Sequence, residues 1–212
     1  MKLTTKNYTL IIILTIIAII TIKLGKYLLD FDNIIYKSFS SELSIKQIER
    51  FLFFQKKIEL LNFILIPIIF MLKTSIISSV LSIGMFFNNN DNSFKKILNI
   101  VIKAEFIFLL MPILKIFWFY FFQTDYTLED IQYFYPLSAL NIIGYKELDS
   151  WLIYPLQTLN LFEVAYIIYL SYQIGDLTKT NADNGLKIVS YSYVPTLLLW
   201  VTVIMFFTLN YS

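Results

Sequence analysis

Five long apolar runs separated by polar stretches dominate the pattern of this chain. A membrane crossing takes about 20 apolar residues, and each run approaches or exceeds that length. The pattern therefore predicts an all-α, polytopic integral membrane protein, a bundle of about five transmembrane helices in one membrane domain over residues 1–212. The predicted spans cover residues 8–24, 60–87, 97–122, 151–174 and 188–210.

The first run has two interpretations, because lysines precede it as they precede a secretory signal peptide. The run is long, however, and Lys23 and Lys26 follow it in place of a cleavage site with small residues. An uncleaved first span is therefore favoured.

The connection over residues 26–59 is amphipathic. Leu43, Ile48 and Leu52 recur in it at helical spacing. One interpretation is a membrane-surface helix or a docking face for a partner. The other is a polar extension of the next span that packs on its own protein.

Two further connections have clear features. Residues 88–93, rich in Asn, predict a turn. The connection over residues 123–150 carries five acids and one lysine, and it contains a short predicted helix that begins at Thr127 and ends before Pro136.

Lys and Arg are almost evenly divided between the two sets of alternate connections. The acidic connection carries only Lys146, whereas Lys95 and Lys96 stand just before the third span. By the positive-inside rule this favours an amino terminus inside and a carboxy terminus outside.

Composition excludes several classes of function. The chain is 58% hydrophobic and 15% charged, with no His and no Cys. Catalysis by Ser-His, Cys-His or His-metal sites is therefore excluded, and no predicted span holds an Asp. The net charge of +2 argues against nucleic-acid binding. With no phosphate or dinucleotide motif among five scattered glycines, we expect no cofactor, no metal site and no enzyme.

Four of the charged residues inside the predicted spans stand out, because an ion in hydrocarbon costs roughly 2.5–3.5 kcal/mol or more. They are Lys73, Glu105, Lys115 and Glu163. Buried ions persist when they are paired, so we expect Glu163 to lie between the two lysines. The set is either an ion, proton or anionic-substrate site or a structural clamp between helices.

Polar residues and prolines accompany these charges. Asn160 shares a helix face with Glu163, and Gln157 lies near that face. Every span after the first also contains one proline, which frees a backbone carbonyl and can kink the helix. These are Pro67, Pro112, Pro155 and Pro195.

The back half of the chain carries the stretches FYPLSALNII at 134–143 and WLIYPLQTLNLFEVAYIIYLSYQIG at 151–175. In hydropathy rhythm and residue types it resembles the Yip1-type family of five-span membrane proteins, including bacterial relatives. The resemblance implies a five-helix bundle with a cytoplasmic amino terminus and a role in membrane organisation or a trafficking-like partnership. We expect the protein to lie in the bacterial inner membrane. It implies no catalytic residues.

Two functional hypotheses follow. The first is a non-enzymatic subunit or accessory partner of a larger membrane assembly, in contact with the lipid bilayer and other membrane proteins. The second is a small transporter or channel for an ion, proton or solute that uses Lys73, Lys115 and Glu163.

Overall fold

The computed structural model describes residues 5–88 and 93–211, and all of the regular secondary structure in these residues is helical apart from one isolated β-bridge. The helices are α1 Thr5–Leu28, α2 Phe31–Phe39, α3 Ile45–Phe87, α4 Phe94–Ala104, α5 Phe106–Phe121, α6 Leu128–Tyr133, α7 Ala139–Ile143, α8 Ser150–Thr158, α9 Leu161–Leu177 and α10 Ala182–Tyr211.

Four helical stretches are long and apolar enough to cross a membrane, as in a multi-pass membrane protein. They cover α1, the part of α3 from Leu61 onward, α4 with α5, and α10 up to Asn210. The all-helical prediction is confirmed, and these stretches coincide with four of the five predicted spans.

The predicted span over residues 151–174 differs, because it is not one continuous helix. It divides into α8 and α9 at Leu159 and Asn160, both of which leave helical geometry. The backbone at this break pairs with the segment before α7: the Ala139 N–H donates to the Leu159 carbonyl at 2.8 Å, and the Leu161 N–H donates to the Leu137 carbonyl at 3.1 Å. Pairing with another segment, which periodicity does not reveal, replaces the helical hydrogen bonds there.

The four predicted kink positions all lie inside helices. Pro67, Pro112, Pro155 and Pro195 belong to α3, α5, α8 and α10. The break between α8 and α9 comes four residues after Pro155, so proline alone does not locate it.

Hydrogen bonds between helix ends identify the two ends of the bundle. We call the end at Asn88 and Asn184 the loop end, and the end at Leu29 and Tyr126 the head end. At the loop end, Asn88 after α3 donates to Asn184 in α10 at 3.1 Å, and Asn99 in α4 donates to Asn7 in α1 at 2.7 Å. The predicted turn at 88–93 falls here, and its central residues 89–92 lie outside the described residues. At the head end, the Tyr126 hydroxyl donates to the Leu29 carbonyl at 3.3 Å.

The half of the bundle nearer the loop end is tightly packed. Leu81 of α3, Val101 of α4 and Leu170 of α9 are fully buried in its main apolar cluster. Two glycines allow α9 and α10 to approach, since a Cβ on Gly175 would lie 2.5 Å from the Asn181 carbonyl oxygen and one on Gly185 would overlap the Ser171 carbonyl oxygen. Small residues permit such close backbone contact.

At the head end, α3 continues beyond its membrane-crossing part. The helix has 43 residues, about 64 Å at 1.5 Å per residue. Its first sixteen residues, 45–60, therefore extend the crossing part as one continuous helix. Ile48 and Leu52 of this extension pack against Ile35 of α2, as the polar-extension interpretation expects.

Candidate functional site

Lys73 and Glu105 form an ion pair between α3 and the α4–α5 junction. The Lys73 Nζ lies 2.8 Å from Glu105 Oε2. Only 1% of the Glu105 side chain is exposed, whereas 42% of the Lys73 side chain is. The pair therefore joins a buried carboxylate to an ammonium group that keeps contact with open space.

A local tightening of the helix presents Glu105 to its partners. The Phe108 N–H donates to the Glu105 carbonyl three residues earlier, at 3.1 Å, which is 3₁₀ geometry. The Tyr166 hydroxyl of α9 donates to Glu105 Oε1 at 3.2 Å, so both carboxylate oxygens are satisfied. The Lys73 ammonium also lies 4.3 Å from the centre of the Phe108 ring, within cation–π range.

Glu163 does not lie between the two lysines in the way the sequence suggested, and that expected pairing is wrong. Its Oε1 accepts a 2.5 Å hydrogen bond from the Tyr193 hydroxyl of α10. Among the described residues Glu163 belongs to no salt bridge, because the partner of Lys73 is Glu105. Lys73 is thus neutralised by Glu105 and not by Glu163.

Lys115 is separate from this group. It lies in the last two turns of α5, nearer the head end, with its Nζ 5.4 Å from the centre of the Tyr135 ring. It is six positions before Phe121, the end of α5, whereas Lys73 lies near the middle of the crossing part of α3.

Asn160 and Gln157 shape the start of α9. The Asn160 Oδ1 accepts from the Glu163 N–H at 2.8 Å, and its Nδ2 donates to the Gln157 carbonyl at 2.8 Å. Asn160 is therefore the N-cap of α9. Asn160 and Glu163 were predicted to share a helix face, and they are in contact through this capping hydrogen bond.

These side chains surround a polar chamber of about 220 Å³ between α3, α8, α9 and α10. Its lining includes Lys73, Tyr154, Gln157, Glu163, Tyr193 and Trp200. Since Glu105 offsets Lys73, Glu163 is the surplus charge. The aromatic members of the lining were not predicted, and they come from different helices.

An apolar groove of about 470 Å³ adjoins the chamber between α3 and α10. Both spaces are bordered by Lys73, Tyr154, Tyr193, Leu197 and Trp200. The other groove residues are mainly aliphatic, such as Leu72 and Ile76, which are 60% and 59% exposed. The groove therefore faces the lipid and leads into the chamber.

Toward the loop end the chamber stops at packed side chains. Tyr166, Leu170 and Ile174 show no exposure, and neither do Leu81 and Val101 across from them. The polar space is therefore closed toward the loop end.

The outward face of the α3 extension is a second candidate site. Phe53 and Phe54 are 73% and 60% exposed, and they share that face with Lys46, Glu49 and Arg50. The opposite face is the one that packs on α2. This outward face combines apolar and charged groups in the way that protein-contact surfaces do.

The acidic connection is held by its own capping box. Thr127 and Asp130 exchange hydrogen bonds at the start of α6, as predicted, and the Tyr145 hydroxyl donates to Asp130 at 3.0 Å. Partial burial acts to raise the pKa of Asp130, but the hydrogen bonds from Thr127 and Tyr145 outweigh it and lower that pKa. Burial, followed by the bond to Asp130, raises the pKa of Tyr145 to about 12.

Within residues 5–88 and 93–211 no three acidic side chains come together in a group that could hold a metal ion. Comparison of the chain with protein-family models, curated proteins and solved structures gives no match. The functional argument therefore rests on the geometry of the chain itself.

Proposed function

We propose that this chain is a non-enzymatic, five-span protein of a bacterial inner membrane that acts as a subunit or accessory partner of a larger membrane protein assembly. The observation that carries the proposal is the outward face of the α3 extension. Its exposed Phe53 and Phe54 stand beside Lys46 and Arg50, on the part of α3 that precedes the crossing part.

The length of α3 supports a contact role outside the membrane. Sixteen helical residues, about 24 Å long, precede the crossing part. The other side is braced by an ion pair with α1, from Lys26 to Glu59 at 2.9 Å, and by one with α2, from Asp32 to Lys56 at 3.3 Å. A braced helix loses little conformational freedom when a partner binds its free side.

Purification from native membranes in mild detergent tests the proposal. We expect additional membrane protein chains to co-purify in fixed proportion, and we expect Phe53→Ser with Phe54→Ser to release them. The matched control is Phe86→Ser with Phe87→Ser, which changes two exposed phenylalanines at the other end of the same helix. Recovery of the wild-type chain alone as a monomer contradicts the proposal.

Support for a fifth crossing comes from where α8 and α9 begin and end. α8 follows the connection that contacts Leu29 at the head end, and α9 ends near Thr180, which accepts from Asn184 at 3.2 Å at the loop end. Because the chain has no Cys, Ser41→Cys and Thr180→Cys can each be labelled alone. With the amino terminus inside, an impermeant maleimide added outside intact cells should label only Ser41→Cys.

Transport is the second candidate, favoured by the position of the chamber at a broken helix. Interrupted membrane helices commonly form ion and substrate sites in transporters. In this case Glu163→Gln and Lys73→Met should each abolish an ion or solute flux into proteoliposomes. Absence of flux in the wild type across a range of pH removes this candidate.

A further inference from the structure

The polar chamber and the apolar groove form one continuous amphipathic space. The groove is lined mainly by aliphatic side chains, and Lys73 borders both the groove and the chamber. Glu163 lines the chamber but not the groove. From the groove to the chamber, the lining is therefore first apolar, then cationic at Lys73 and then anionic at Glu163. We propose that the space binds one phosphatidylethanolamine molecule, with acyl chain in the groove, phosphate at Lys73 and ammonium at Glu163.

The groove suits an acyl chain in both lining and access. Its volume of about 470 Å³ falls within the usual range for ligand pockets, about 300–1,000 Å³. Leu72 and Ile76 on its border are largely exposed, so a chain can enter sideways from the bilayer.

The junction supplies donors for a phosphate. An ammonium group has three N–H donors, and the ion pair with Glu105 leaves the Lys73 side chain 42% exposed. Trp200 Nε1 donates to the Tyr154 hydroxyl at 2.9 Å, which leaves the hydrogen of that hydroxyl to be donated to a phosphate oxygen. A phosphate here would sit between a cation and a neutral donor.

The chamber supplies an acceptor for the ammonium group. Tyr193 bonds only one Glu163 oxygen, so the other is open to a cation. Aromatic rings of Tyr154, Tyr193 and Trp200 line the same space, and their faces attract cations.

Depth makes this site different from the ordinary lipid shell. Lys73 lies near the middle of the crossing part of α3, where hydrocarbon strongly disfavours ions. A headgroup at this depth needs polar partners of both signs. Phosphatidylglycerol offers only the phosphate, so it leaves Glu163 without a cation and brings a second anion beside it.

The test is competition between two lipids with the same acyl chains. The purified protein in detergent is given equal amounts of phosphatidylethanolamine and phosphatidylglycerol, and native mass spectrometry counts the bound molecules. We expect one retained lipid with a preference of about tenfold for phosphatidylethanolamine, a difference of about 1.4 kcal/mol. Glu163→Gln should reduce the preference to within about twofold, and the control Glu129→Gln, in the exposed start of α6, should keep it.

A second variant covers the possibility that Glu163→Gln fails to fold. Leu197→Trp fills the passage between groove and chamber and should abolish the retained lipid while leaving the ion pair untouched. Equal binding of the two lipids by the wild type overturns the proposal. So does a preference that survives either Glu163→Gln or Leu197→Trp.

Discussion

The two halves of the bundle use the same three helices, α3, α9 and α10, for opposite purposes. Toward the loop end, Gly185 brings the backbones of α9 and α10 together, Gly84 makes room for the Ser192 side chain, and the interior is filled. Toward the head end, Tyr154, Tyr193 and Trp200 hold the helices apart and leave the chamber. The volume of side chains at the contacts decides which half is packed and which is open.

Of the changes that distinguish the two halves, we expect Gly185→Ala, in the packed half, to cause the largest loss of stability. The added Cβ meets the Ser171 backbone oxygen, which cannot rotate away as a side chain would, so we expect a loss of about 3 kcal/mol or more. Gly144→Ala is the control, because its Cβ meets open space although its φ of 87° is unfavourable for alanine. Thermal unfolding in detergent measures both, and equal losses would contradict the tight packing of α9 on α10.

The next effect concerns the ion pair at the boundary between the halves. Glu105→Gln leaves the Lys73 ammonium without its partner, which costs about 3–5 kcal/mol for a buried pair. We expect the lower end of that range, since Lys73 is partly exposed to the chamber. Thermal unfolding of the variant measures the loss.

A double-mutant cycle tests the same pair. Lys73→Met should restore stability in Glu105→Gln, and it should couple less to Glu163→Gln. If Lys73 coupled to Glu163 and not to Glu105, Glu163 would be its partner and the ion pair with Glu105 would be contradicted.

A smaller effect should come from the chamber wall. Trp200→Phe removes the hydrogen bond to Tyr154, worth about 0.5–1.5 kcal/mol, and the partly exposed position favours the low end. Trp118→Phe is the control, since its 3.2 Å bond to Gln123 is also exposed but lies outside the chamber. A loss in Trp200→Phe no larger than the control would show that the wall does not depend on this bond.

The smallest effect we expect is a pH dependence of stability in the acidic connection at the head end. The pKa of Asp130 is lowered in the folded chain, so its contribution is present above the unfolded value of about 3.9 and is lost as the pH falls through the folded value. The pKa of Tyr145, about 12 when folded, is raised, so its contribution is complete below pH of about 10 and is lost as the pH rises through 12.

Hydrogen exchange of the α6 backbone across pH measures this dependence. Asp130→Asn should flatten the acid limb, while the amides of the packed half should respond little. An unchanged acid limb would show that the capping bonds of Asp130 do not stabilise the connection.

The sequence by itself determined the helical class, four crossings, the charged residues inside them and the helix at Thr127. These follow from hydropathy and local capping, which depend on residues a few positions apart. The choice of Glu105 as the partner of Lys73 was not accessible, because it depends on how far each helix is rotated and how deeply it sits. Residues 32 positions apart meet there.

Only the tertiary structure decided where the fourth predicted span breaks and what the break creates. The helix is interrupted at Leu159 and Asn160 because the segment at 137–139 offers backbone partners to Leu159 and Leu161. A single helical pattern carries no record of that segment. Tyr154, Tyr193 and Trp200 read as ordinary membrane aromatics along the chain. They become the wall of a chamber only when α8, α9 and α10 come together, since a cavity belongs to the space between helices and not to any one of them.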